Sequence, residues 1–116
     1  VVPFTSFSEP HNRPGQPSRP VWFALEEDRP LGFFAGIWTQ WTSVRKLKDG
    51  ETTDNLYGFL TTEANAEVGA VHPKAMPVIL TSPDAVQAWL TAETADMPAL
   101  QQPLPDGTLQ VIDPED

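Results

Sequence analysis

Thirteen prolines in 116 residues, about twice the usual density, constrain this chain more than any other feature. Proline has no backbone N–H and a fixed φ, so it interrupts helices and central strands and belongs in turns, at first helical positions and on sheet edges. Here the prolines gather in turn-like stretches, most densely from His11 to Pro20, where three of them stand with a glycine and small polar residues. Such spacing describes short elements tied by irregular connections. Trp22, Trp38, Trp41 and Trp89, joined by Phe23, Phe33, Phe34 and Phe59, supply enough apolar surface for one small core. The tryptophans are therefore read as core and rim packing, and the chain as a single domain over 1–116.

Strand signals dominate between the turns. Val1 to Phe7 reads as a strand that enters a turn near Glu9 and Pro10, His11 to Pro20 as a loop, and Val21 to Leu25 as a second strand closed by charged residues and Pro30. Leu31 to Trp41 places bulk on both sides, so both of its faces are expected to be covered. Thr42 to Asn55 is polar and reads as exposed, with Asp49-Gly50 a competent turn but the whole too long and asymmetric for a simple tight hairpin. Leu56 to Thr62 reads as a strand, Glu63 to Glu67 as a helical turn, and Met76 to Leu80 as a buried strand entered through Pro77.

Ser82 and Pro83 make a helix start, because the serine oxygen accepts an orphan backbone N–H and proline at the first helical position loses nothing. Val86, Trp89 and Leu90 then form the apolar stripe of a short amphipathic helix near 83–91. Asp96 to Gly107 is turn-rich, and Leu109 to Ile112 offers a short closing strand. The sum is a strand-dominated α+β fold with one clear helix.

The formal net charge is -9, and all seven basic residues lie at or before Lys74. Asp84, Glu93, Asp96, Asp106, Asp113, Glu115 and Asp116 follow with nothing to offset them. Such a field opposes a phosphate backbone, so weak or no DNA binding is expected. A local strip at Arg45, Lys46 and Lys48 is the exception, and an exposed loop explains it as well. There is no cysteine, which excludes disulfides, thiol chemistry and cysteine-rich zinc sites. No run approaches the ~18 apolar residues of a membrane span, and no basic-then-apolar leader opens the chain, so no membrane association and a cytoplasmic setting are expected.

Few side chains can carry chemistry. His11 sits in the proline-rich loop and reads as incidental. His72 stands at the mouth of the Met76–Leu80 run, where a histidine can be held in one tautomer and exchange protons near neutrality; a structural or exposed histidine fits the same position. Glu9, beside Pro10, is an acid or base if partly buried and an ordinary surface carboxylate otherwise. A folded Glu/His pair could transfer protons but supplies no nucleophile. There is no phosphate loop, His-Glu-x-x-His helix or serine elbow, and two histidines make a poor metal set, so no metal or cofactor is expected.

Four stretches carry a family resemblance. Leu60-Thr-Thr-Glu-Ala-Asn65, followed by His72 and then Met76-Pro-Val-Ile-Leu80, resembles the C-terminal hallmark of the SOS-response-associated peptidase (SRAP) family, with Ser82 through Leu90 similar to the helix after it. Phe33-Phe-Ala-Gly-Ile-Trp38 resembles the family's central strand, and Val1 to Glu9 its proline-plus-glutamate strand. On this resemblance the chain corresponds to the C-terminal half of the domain, a partial SRAP-like fold truncated at its N-terminal side.

The resemblance implies recognition of abasic sites in single-stranded DNA. Family members use an N-terminal cysteine to link covalently to the opened sugar aldehyde, assisted by an asparagine in the N-terminal half, a glutamate and a histidine. Glu9 matches the glutamate and His72 the histidine that performs acid–base work. Lys74 and Asn65 are carried over as substrate-side residues, Lys74 for the family's basic contact. Ser8 and Pro10 replace aromatic neighbours of the glutamate, and Pro73-Lys-Ala75 replaces a shorter Asp-Arg step. With no cysteine, the resemblance implies a relative of the abasic-site crosslinkers that is itself inactive as peptidase or crosslinker. The alternative is a non-catalytic fold remnant acting as a structural or protein-interaction module, whose unpaired edges point to a homodimer.

Overall fold

The computed structural model describes residues 1–112, so Asp113, Glu115 and Asp116 of the acidic stretch lie outside the described residues. In chain order the elements are β1 (Val2–Phe4), β2 (Phe7–His11), β3 (Arg19–Ala24), β4 (Gly32–Phe34), β5 (Gly36–Val44), β6 (Glu51–Phe59), β7 (Thr61–Thr62), α1 (Ala66–Gly69), β8 (Met76–Pro77), β9 (Ile79–Leu80), α2 (Pro83–Thr91), α3 (Met97–Leu100) and β10 (Gln110–Ile112). All pairings are antiparallel: β1-β4-β9 and β10-β3-β2 form three-stranded sheets, and β5-β6 and β7-β8 form two-stranded ones. Strands dominate and one long helix accompanies them, in line with the α+β reading.

Two clusters make the core. Phe4, Phe7, Phe23 and Phe34 centre the first, with Val68, Met76, Ile79, Leu104 and Leu109 around them. Phe4 stacks on Phe34 at 4.2 Å between centroids, while Phe7 meets both edge-on at 5.6 and 5.7 Å. Full burial of one such ring, as at Phe23, contributes about 1.5–3 kcal/mol. Gly32 is required here, because a Cβ would stand 2.7 Å from the Phe4 ring. The second cluster joins Ala35, Val78 and Leu80 to Trp89 of α2.

The helix begins as its sequence dictates: the Ser82 hydroxyl accepts from the Ala85 N–H at 3.1 Å, with Pro83 in the first turn. Trp89 turns its indole N–H onto the Gly36 carbonyl at 2.9 Å and so pins the helix to the start of β5. Leu90, expected in the same stripe, is exposed instead, since the buried arc is only wide enough for Ala85, Val86 and Trp89.

Several strand boundaries differ from the expectation. The first strand is two, with a break at residues 5–6, and Glu9 lies at the centre of β2 rather than in a turn. The loop shrinks to residues 12–18, because His11 pairs with Arg19 and Pro10 with Pro20. Pro20 is tolerated there because β10 pairs with β3 only from Trp22 onward, leaving Pro20 bonded on one side. Met76–Leu80 is likewise split at Val78, whose N–H donates to the Leu60 carbonyl and whose carbonyl accepts from Ala35.

The largest difference is the hairpin. Residues expected as a buried strand followed by a polar loop are β5 and β6, paired in continuous register from Gly36↔Phe59 to Val44↔Glu51 around a 3-10 turn at Leu47–Asp49. Both faces are open: Trp38 is 73% exposed and Trp41 57%, so neither is core or rim packing. Threonines made the segment look like loop, yet their β-branching suits an exposed ribbon, and Thr42 and Thr53 hydrogen-bond across it at 2.8 Å. Gly50, at φ 67°, closes the turn that Asp49-Gly50 signalled.

Candidate functional site

Strand alternation decides where Glu9 points. Phe7 is buried in β2 and Glu9 follows by two, so the carboxylate lies on the same inward face as the phenylalanine cluster. His72 arrives from the other side of the chain. Asn65 caps α1, accepting from the Val68 N–H at 3.1 Å, and the helix ends by taking the His72 N–H onto the Val68 carbonyl at 2.7 Å. The turn after it brings the His72 Nδ1 within 3.0 Å of the Ala75 carbonyl. Glu9 Oε2 stands 3.5 Å from the same nitrogen. The structure therefore brings together two residues from opposite halves of the chain.

Both neighbours of Nδ1 are acceptors, so that nitrogen carries a proton. In the neutral ring this leaves Nε2 with the lone pair, the base position. Burial raises the Glu9 pKa above the ordinary carboxylate range, and the opposing pull of His72 is the smaller effect. A carboxyl whose pKa is raised by burial and that stands next to an imidazole is placed for proton exchange. The pair opens on a cleft of about 330 Å³ whose walls include Phe34, Phe59, Thr61 and Pro77. A larger groove of about 660 Å³ lies between β5 and α2, but no ionisable side chain lines it.

The other expected residues sit differently. Lys74 is exposed on the turn two residues after His72. Asn65 is buried, and both ends of its amide are engaged: the oxygen caps α1 and the nitrogen donates to the Leu104 carbonyl at 3.2 Å. It does not line the Glu9–His72 cleft. His11 ends β2, paired with Arg19.

Sequence reasoning missed the braces that fix this arrangement. Glu67 accepts from the Gly107 and Leu109 N–H groups at 2.6 and 3.2 Å, while Asp106 accepts from the Ala66 N–H at 2.7 Å. These reciprocal bonds lock α1, and with it His72, onto the turn before β10. Their only sequence signal was acidic residues beside a helix start and a Gly turn, which is common in solvated loops. Among the described residues no group of three or more His, Cys, Asp or Glu side chains is placed to hold a metal ion. No helix among them is long and apolar enough to cross a membrane.

The model of the SOS response associated peptidase (SRAP) family matches residues 1–113. This chain belongs to that family. The extent of the match overturns the expectation of a C-terminal half-domain truncated at its N-terminal side, because the resemblance runs over nearly the whole chain. Comparison with curated proteins gives no match.

Proposed function

We propose that this SRAP-family chain descends from abasic-site sensors of single-stranded DNA, keeps their acid–base pair and lacks their nucleophile. The observation that carries the reading is the 3.5 Å approach of His72 Nδ1 to Glu9 in a cleft of a chain without cysteine. Opening an abasic sugar to its aldehyde removes a proton from the ring-carbon hydroxyl and delivers one to the departing ring oxygen. Glu9, whose hold on a proton burial strengthens, and the lone pair of His72 Nε2 suit those two transfers. A lasting link would next need a nucleophile at the aldehyde carbon, which in the family is a thiol and here has no counterpart.

Within this reading Lys74 is the exposed cation for a phosphate, as a point charge. Asn65 acts as a positioning residue: it caps the helix whose Val68 carbonyl accepts the His72 N–H, and its amide is already occupied. The acidic balance makes DNA binding weak or absent at moderate salt. The test is to incubate the chain with a single-stranded oligonucleotide bearing one abasic site and run a denaturing gel without reductant. No persistent adduct is expected, and a denaturation-resistant band would overturn the reading. The exposed aromatic hairpin favours a second reading, a protein-interaction module, in which the site is vestigial.

A further inference from the structure

Independently of the Glu9–His72 site, we infer that the free edge of β5 is a homodimer interface on which a second copy of this chain adds its own β5 antiparallel, making a four-stranded β6-β5-β5-β6 sheet. Among the described residues β5 pairs on one side only, with β6. The Trp89 indole takes the Gly36 carbonyl, and from Ile37 to Val44 the strand carries no charged residue and no proline, the two devices that ordinarily protect an edge. The opposite edge of the ribbon is guarded: β6 carries Glu51 and Asp54. Trp38, Trp41 and Ile37 are all at least half exposed along the unguarded strand, an apolar density uncommon on a monomer surface.

Charge identifies the occupant as a second copy. The tip between Val44 and Glu51 holds Arg45, Lys46 and Lys48, three of the seven basic residues of an otherwise acidic chain, against one acid, Asp49. At the other end of the strand, the turn carrying Glu93 and Asp96 borders the base of β5, since Thr94 and Met97 share a groove with Gly36 and Trp38. An antiparallel partner centred on Gln40 lays each basic tip beside the acidic turn of the other copy. The contact closes on itself with two-fold symmetry. In this register Trp38 faces Thr42 and Trp41 faces Thr39 of the partner copy, aromatic against β-branched pairs that stabilise antiparallel sheets.

The absence of native cysteine makes the test clean, because one introduced thiol per chain can only pair between copies. Sedimentation velocity over a concentration series should show a monomer–dimer equilibrium that weakens with salt. Q40K sets two lysines face to face on the two-fold axis at an exposed site and should weaken association about tenfold without loss of secondary structure. K46E/K48E should weaken it as well, and adding E93K/D96K to that variant should restore it. Under mild oxidation Q40C should give a disulfide dimer, whereas T53C, on β6 and so away from the axis, should not. A chain that stays monomeric throughout, a dimer indifferent to Q40K, or crosslinking by T53C in preference to Q40C would each overturn the inference.

Discussion

The β2-β3 pair and the β5-β6 hairpin are both antiparallel ribbons, yet they depend on opposite things. In β2-β3 the inward positions, Phe7 and Phe23, sit in a phenylalanine cluster, and Glu9 inherits its place from that alternation. In β5-β6 the strands are nine residues each, with no buried residue in either, and most of the cohesion comes from the backbone ladder and the Thr42–Thr53 pair. The first ribbon is a product of burial; the second is anchored at its base, where Trp89 bonds Gly36 and Phe59 meets Phe34, and is held beyond that by register. Burial fixes a side chain where chemistry needs it, whereas an exposed ribbon keeps its edge and faces available to a partner.

The comparison breaks first under core truncation. Phe23→Ala should cost about 3–5 kcal/mol, read from urea unfolding, because it empties a fully buried position between two sheets. Trp41→Thr, in the hairpin, should change stability by under about 1 kcal/mol at low protein concentration, despite removing a larger ring. If the two losses were equal, the hairpin would be part of the core and the contrast would fail.

A smaller effect separates positioning from packing. Asn65→Ala leaves the Val68 N–H and the Leu104 carbonyl without their partner and should cost about 1–3 kcal/mol. Amide exchange should quicken in residues 66–72 and remain unchanged in the hairpin. Exchange that quickened equally in both regions would show that Asn65 braces the whole fold and not the His72 segment.

Glu9 gives the smallest effect, and its sign follows from burial. A folded pKa raised above the unfolded one means that the folded state binds the proton more tightly, so this contribution is present in full below the unfolded carboxylate pKa and is lost as pH rises through the raised value. Glu9→Gln removes the titration. The variant should match or slightly exceed wild type in urea midpoint at neutral pH, with its advantage fading on acidification. A variant weaker than wild type at neutral pH, with the deficit closing in acid, would instead make the attraction of His72 the dominant effect.

Much of the fold was legible where local chemistry decides it. Ser82-Pro83 fixed the start of α2, Asp49-Gly50 a turn though not the hairpin around it, and the Met76–Leu80 run its burial. Glu9 and His72 were legible as candidates through the family motif, but their meeting depends on braces from Glu67 and Asp106 to a turn some 40 residues away, which no local pattern encodes. The hairpin was misread because hydrophobic alternation reports a covered face, and β5 and β6 have none. The half-domain expectation followed from the absence of the family's N-terminal cysteine and asparagine, and it fails because the family match extends over 1–113.

The central claim is a retained acid–base pair without a covalent nucleophile. Denaturing electrophoresis of the chain after incubation with abasic single-stranded DNA, without reductant, tests it most directly. Free oligonucleotide with no persistent protein adduct is the predicted result; a band that survives denaturation and is lost in His72→Ala would contradict it, by showing a complete crosslinking site in a chain that has no thiol.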